Sequence, residues 1–229
     1  MKVAVVGKEK KLFEKKLPKD FVIDGKKPQI VFSFGGDGTI LYAERLYPGV
    51  PKVFVKHSRF CEKCEVASGY KKMFDALRNG KYKIVEEIKL EGTVNGSRKK
   101  MLVGLNEVNV CNKTPLRAVR LQLAVNSKVI QKEVVGDGIV VATPFGSTAY
   151  FYSITRKSFS RGIGIAFNNS RKPVKPLFVP ENSVVKIKVL RGDAVMCADN
   201  DRKMFRLKAG DAVTVRKSRL KARLVKFKK

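Results

Sequence analysis

The rhythm of apolar and polar positions changes about a third of the way along the chain. In the first third, short unbroken apolar runs alternate with stretches of helical spacing. Val3 to Val6 and Ile30 to Phe34 read as buried strands, with Val53-Phe54-Val55 as a third. A helix is expected near Ile40 to Leu46. A second is expected over Tyr70 to Asn79, where Met73, Phe74 and Leu77 fall on one face and Gly80 stands just past the end. Strands alternating with helices predict a parallel sheet flanked by helices.

From about Ile84 the two-residue period takes over. Leu102 to Val110 reads as a strand. Val119, Leu121, Leu123 and Val125 alternate with Arg120, Gln122 and Ala124 before an Asn126-Ser127 turn. Ile139 to Ala142 is a continuous buried run, and the alternation resumes at Val185, Ile187 and Val189, at Val213 and Val215, and at Leu220, Ala222 and Leu224. Many short strands separated by turn signals predict a β-rich second region. The expected fold class is α/β plus β, with an α/β domain over residues 1–85 and a β-rich domain over 86–229. No Pro/Ser-rich linker separates them, so two closely packed domains with a cleft are expected. Lys221 to Lys229 reads either as a basic tail or as a last strand returning to the first domain.

Composition changes this picture through charge. The 229 residues are 44% hydrophobic, ordinary for a globular protein, yet Lys and Arg number 49 against 20 Asp and Glu, a formal net charge of +29. Such an excess favours anionic partners: nucleotides, polyphosphate, nucleic acid or an acidic membrane surface. It equally describes the solvated surface of a Lys-rich protein. No apolar run approaches the ~20 residues of a membrane helix. Met1 to Gly7 reads as a first buried strand rather than a signal peptide, so a cytoplasmic protein is expected. Of the four cysteines, only Cys61 and Cys64 are close in sequence. With the single His57 they supply three zinc ligands where a structural site takes four, so metal, disulfide and free thiols all remain open. His57 itself reads as a packed or loop residue.

Three polar constellations interrupt the strands. In Gly35-Gly36-Asp37-Gly38-Thr39 a strand runs into three glycines, an acid and a hydroxyl, and then into a helix. Glycine lets backbone approach a ligand closely, and a helix N-terminus favours an anion. Asp37 could accept a proton from an attacking hydroxyl or hold a magnesium ion that bridges phosphates. Asn106-Glu107 pairs a carboxamide suited to an adenine edge with a carboxylate suited to ribose hydroxyls. Gly136-Asp137-Gly138 feeds the buried run that ends in Thr143-Pro144-Phe145-Gly146-Ser147-Thr148-Ala149-Tyr150, where hydroxyls and turn amides can ring a phosphate or sugar.

In this order and spacing the three motifs resemble the NAD kinase family. The first occurs also in diacylglycerol and sphingoid lipid kinases, and the Asn-Glu pair with the third motif selects NAD kinase. The resemblance implies an N-terminal α/β, Rossmann-like domain and a C-terminal β-rich, sandwich-like domain. It implies ATP or polyphosphate as donor, a divalent cation such as magnesium, and phosphorylation of the 2′-hydroxyl of the adenosine ribose of NAD. Carried over residue by residue, Asp37 is the base, and Gly36 and Gly38, with Thr39, meet the phosphates. Asn106 binds adenine and Glu107 a ribose. Asp137 contacts the nicotinamide-side ribose or amide, and Thr148, Ala149, Tyr150 and Ser153 line the adenosine pocket. Homodimers or homotetramers, in which a neighbouring subunit can complete the site, are implied as well.

The chain departs from the family pattern at His57 to Cys64, at Ser153 to Ser158, at Phe145 and at Asp199-Asn200. These segments border the acceptor. A paralogous kinase acting on a nucleoside, polyol or lipid hydroxyl therefore stands as an alternative, as does a non-catalytic nucleotide- or nucleic-acid-binding protein.

Overall fold

The unbroken apolar runs of the first third are unbroken because both faces of the strands they form are covered. A computed structural model of the chain describes residues 1–58, 63 and 69–227. Cys61 and Cys64 lie outside the described residues. The chain divides into two units, Met1–Glu87 together with the residues from Leu220, and Ile88–Arg219.

The first unit contains β1 (Lys2–Val6), α1 (Lys10–Glu14), β2 (Val22–Ile23), β3 (Ile30–Gly35), α2 (Asp37–Leu46), β4 (Lys52–Lys56) and α3 (Tyr70–Arg78). Its strands run parallel in the order β2-β1-β3-β4, and residues 220–227 add a further parallel partner, with Leu224 opposite Lys52. Val3 and Val5 point to a core holding Phe13 of α1 and Met73, Phe74 and Leu77 of α3. Ala4 and Val6 point the opposite way, to Ala43 of α2. Parallel sheets covered on both faces give such continuous apolar strands. Phe13 is the hub of the first core, with ring centroids 5.1 Å from Phe32, 5.2 Å from Phe34 and 5.3 Å from Tyr70.

The Lys52–Glu44 ion pair lies buried in this unit. The Lys52 side chain is fully buried, and its ammonium donates to the Glu44 carboxylate and to the carbonyl of Tyr47, fastening α2 to β4. Removing one member of a buried pair leaves the other charge uncompensated and costs about 3–5 kcal/mol. Lys52→Met should lower unfolding stability by that amount in urea titration, and adding Glu44→Leu should recover most of the loss.

β5 (Tyr82–Val94) carries the chain into the second unit, where β6 (Ser97–Gly104), β7 (Glu107–Asn112), β8 (Val119–Val125), β9 (Lys128–Gly136), β10 (Gly138–Ala142), α4 (Tyr150–Thr155), β11 (Ile163–Asn168), β12 (Leu177–Val179), β13 (Val185–Arg191), β14 (Ala194–Ala198) and β15 (Phe205–Leu207) follow. The last strand, β16 (Ala212–Phe227), leaves it again. One sheet places β13 between β8 and β16, all antiparallel, and the other has the antiparallel order β12-β11-β10-β7-β14-β15. Leu121, Leu123, Ile187 and Val213 of the first meet Val108, Val110, Ile139, Ile165 and Met196 of the second in one core. On the far face of the second sheet Phe151 of α4 packs on Val140, Ala142 and Ala166. The alternation in β7 follows: Val108 and Val110 point into the core, while Glu107, Asn109 and Cys111 point to the face that α4 partly covers.

This architecture, α/β in the first unit and β-rich in the second, is the expected fold class. Two local expectations are corrected. Leu102 to Val110 is not one strand but the end of β6, a turn at Leu105-Asn106, and β7. The helix after the glycine loop begins at Asp37, so the acid lies in its first turn. Of the two readings of the C-terminal segment, tail or strand, residues 221–227 take the strand.

Candidate functional site

In the first unit, the glycine loop joins β3 to α2. A Cβ at Gly35 would lie 2.2 Å from Thr39 Oγ1, so glycine is what lets the threonine fold back over the strand end. The His57 amide donates to the Gly35 carbonyl at 3.0 Å, tying the exit of β4 to the exit of β3. Both are carboxyl ends of parallel strands, where open α/β sheets bind ligands. Gly36 is extended and caps α2, Asp37 is half-buried in the first turn, and Gly38 is exposed. The Asp37 carboxylate accepts the Lys63 amide at 3.3 Å. The positive end of the helix dipole also acts on this carboxylate. His57, exposed in the loop after β4, stacks on Phe34 at 4.1 Å and sits 2.6 Å from the Glu9 carboxylate, so of the two readings of this residue, packed or loop, it is the loop one.

In the second unit, the Asn106-Glu107 turn is held from three directions. Asp199 Oδ1 accepts the amides of Asn106 at 2.8 Å and Glu107 at 3.2 Å, and Oδ2 accepts that of Leu105 at 2.8 Å. Thr143 donates its hydroxyl to the Leu105 carbonyl at 2.6 Å and its amide to the Asn106 carbonyl at 2.8 Å. Gly146 lies flat against the turn, where a Cβ would stand 2.1 Å from the Asn106 carbonyl oxygen, and one at Gly104 would stand 2.2 Å from that of Glu107. Gly146→Ala should therefore displace the turn and cost about 1–3 kcal/mol by overpacking. Urea titration of the variant would read that loss.

The side chains of this turn are buried: Asn106 is 6% exposed and Glu107 5%. Asn106 Oδ1 and Asn109 Oδ1 are buried acceptors without a hydrogen-bond partner among the described residues. Native proteins satisfy nearly all such atoms, so a buried acceptor of this kind marks a place for a ligand's donor.

Asp137, between β9 and β10, is oriented by two carboxamides: Asn112 Nδ2 to Oδ1 at 3.2 Å and Asn169 Nδ2 to Oδ2 at 3.0 Å. Asn168 Nδ2 donates to the Tyr150 hydroxyl at 2.8 Å. Burial, and then the influence of Cys111, Cys197, Asp137 and Glu107, push the Tyr150 phenol up from its ordinary value. The structure thus brings Glu107, Asp137 and Tyr150 onto one face with two cysteines. Three hydroxyls in and after the third motif also have partners within the chain. Thr143, Ser147 and Ser153 each donate to a backbone carbonyl, of Leu105, Phe159 and Tyr150, because local carbonyls lie within their reach. Thr148 is exposed and Ala149 half-buried at the start of α4.

Residues 105–227 match the ATP-NAD kinase C-terminal domain family. The chain is 30% identical over 233 residues to the NAD kinase of Aquifex aeolicus, covering 94% of itself and 79% of that relative. The chain belongs to the NAD kinase family. It is also 30% identical over 210 residues to the bifunctional NADP phosphatase/NAD kinase of Methanococcus maripaludis, spanning 86% of itself but 36% of that protein. The crystal structure of an NAD kinase from Archaeoglobus fulgidus in complex with ATP superposes with a TM-score of 0.82 at 19% identity, over 100% of this chain and 94% of that one. That last likeness is one of fold.

NAD kinases are phosphotransferases with a hydroxyl acceptor. Asp199 was legible in the sequence only as a departure beside Asn200. Its backbone is left-handed, with φ of +48°, a conformation Asp tolerates better than most residues. Burial raises its carboxyl above the ordinary value even though three amides favour the charged form. No helix among the described residues is long and apolar enough to cross a membrane.

The divalent cation implied by the resemblance finds no cage. Magnesium is commonly held by one or two carboxylates plus substrate phosphates. Among the described residues no three His, Cys, Asp or Glu side chains converge as a metal cluster. Asp37 is the one carboxylate of the glycine loop. The roles assigned to the chain's own residues do not depend on where such a cation sits.

Proposed function

We propose that the chain transfers the terminal phosphate of ATP to the 2′-hydroxyl of the adenosine ribose of NAD, giving NADP. The observation that carries this reading is the Asn106 carboxamide, buried in a pinned turn with an acceptor oxygen no described residue satisfies. An adenine edge offers the amino donor and ring acceptor that a carboxamide meets in two places. Glu107, next in sequence and buried with it, suits ribose hydroxyls. The names of the relatives, NAD kinases throughout those cited, support the acceptor, and the ATP complex of the Archaeoglobus fulgidus enzyme supports the donor.

Phosphoryl transfer asks a protein for positioning and charge neutralisation more than for covalent chemistry. In this reading Gly36, Gly38 and Thr39 bring backbone and the α2 dipole to the phosphates, and Asp37 takes the proton from the attacking 2′-hydroxyl. Asp137, held by Asn112 and Asn169, orients the nicotinamide-side ribose or amide. Tyr150, with Thr148, Ala149 and Ser153, lines the adenosine pocket. The charge of +29 speeds encounter with anionic substrates. A homodimer or homotetramer is part of the proposal.

An acceptor and donor panel tests the reading. The purified protein is given ATP or polyphosphate with magnesium, and NAD, NADH, a nucleoside, a polyol or a lipid headgroup. NAD should be consumed fastest, with ATP as donor. Turnover of another acceptor at tenfold the NAD rate would replace NAD kinase by a paralogous kinase, and salt-sensitive nucleic-acid binding without any turnover would replace both.

A further inference from the structure

Two thiols on the face that carries Glu107, Asp137 and Tyr150 have no task in phosphoryl transfer. Cys111 lies on β7 and Cys197 on the neighbouring β14. The register pairs Cys111 with Val195 and Cys197 with Asn109, so both cysteines point to one face, diagonally offset by two residues. Both are free and half-buried, within reach of small molecules. Their thiols interact directly, and the Asn109 carboxamide hydrogen-bonds the Cys197 sulfur. Gly138 on β10 lets the sheet close tightly here, since a Cβ there would stand 2.8 Å from Cys111 Cα.

We propose that Cys111 and Cys197 form a redox modification site, a dithiol whose oxidation to a cross-strand disulfide displaces the Asn106-Glu107 turn and weakens nucleotide binding. The identity of that nucleotide rests on the function proposed above; the displacement of the turn does not. Diagonal neighbours on antiparallel strands stand about 7–8 Å apart between Cα atoms. A disulfide takes about 4.4–6.8 Å. Closing the bond therefore draws β7 and β14 together at this point. β7 begins at Glu107, and Asp199, two residues beyond Cys197, holds the amides of Leu105, Asn106 and Glu107. The displacement reaches the turn through these two strands alone. A bond closed under strain exchanges readily with thiols, which makes the change reversible.

The chemistry balances with a small-molecule disulfide as oxidant. The Cys111 thiolate attacks one sulfur of that disulfide, its S–S bond breaks, and a thiolate leaves to be protonated. The Cys197 sulfur then attacks the Cys111 sulfur of the mixed disulfide, losing its proton and expelling the second thiolate. Two protein thiols and one disulfide become one protein disulfide and two thiols, with two electrons passing to the oxidant. Cys111 attacks first because the hydrogen bond from Cys197 lowers its pKa, whereas that contact and burial raise the pKa of Cys197.

The test uses the full chain with Cys61→Ser and Cys64→Ser, leaving Cys111 and Cys197 as the cysteines. Treatment with oxidised glutathione should give a Cys111–Cys197 linked peptide, 2 Da lighter than its parts, by non-reducing peptide mass spectrometry. Amide exchange at Leu105 to Glu107 should quicken at least tenfold and the Kd for NAD rise at least fivefold. Dithiothreitol should reverse all three changes, and Cys111→Ser on the same background should abolish them. Absence of the linked peptide, or a linked protein with unchanged exchange at the turn, overturns the proposal. A reduced protein that binds no NAD overturns the kinase reading instead, and the peptide and exchange readouts still decide the dithiol.

Discussion

Asp37→Asn should lower kcat by about 10²–10⁴-fold, the range a general base contributes, while ATP affinity stays within about threefold. The substitution is isosteric, and the carboxamide oxygen can still accept the Lys63 amide that Oδ1 accepts now at 3.3 Å. What it loses is basicity and one negative charge at the start of α2. A carboxylate in a first helical turn contributes about 0.3–1 kcal/mol through the dipole, so the melting temperature should move only a little. Catalysis and stability therefore separate cleanly in this variant. A structural Asp-Gly turn predicts the reverse pattern: activity within a few-fold of wild type and a measurable loss of stability. Rapid-quench measurement of the chemical step, with ATP binding measured independently, distinguishes the two.

The second large effect belongs to Asp199. Asp199→Ala removes the acceptor of three backbone amides at once. Each amide left buried without a partner costs about 1–3 kcal/mol, and a left-handed backbone angle adds strain for alanine. A loss of roughly 3–6 kcal/mol in urea titration follows if the penalties partly relax together. Asp199→Asn keeps an acceptor oxygen and tolerates the φ of +48°, so it should lose about half as much. It should also change the pH response. Burial raises the Asp199 pKa, so the folded chain holds that proton more tightly than the unfolded chain does. By linkage, stability from this group falls as pH rises from the ordinary carboxylate value towards the raised one. The Asn variant should lack that decline. In both variants the Michaelis constant for NAD should rise more than kcat falls, because Asp199 positions Asn106 and Glu107 and touches no reacting atom.

The parallel sheet was legible because Val3 to Val6 and Ile30 to Phe34 are apolar on both faces, a pattern with few other meanings. The second core was legible from alternation in β8, β13 and β16. What the pattern could not show was the turn at Leu105-Asn106. Hydrophobicity runs through it, and the cause of the turn is an acid 93 residues away that holds the Asn106 amide. The partners of the hydroxyls after Ala142 were hidden for a related reason. Composition shows Thr143 and Ser147 only as donors, and local geometry gives each a backbone carbonyl. The six-residue α4 was invisible because its polar and aromatic residues show no clear period. Long-range backbone capture and short helices leave no periodic trace, whereas strand burial and glycine loops do.

The central claim is that this chain places a phosphate on the 2′-hydroxyl of NAD. Phosphorus NMR of the purified protein with ATP, magnesium and NAD follows that bond directly. The account predicts a new monoester resonance of 2′-phosphorylated NAD growing in step with ADP, and growing at least about a hundredfold more slowly with Asp37→Asn. ADP formed without that resonance, or no turnover of ATP with NAD at all, would contradict it.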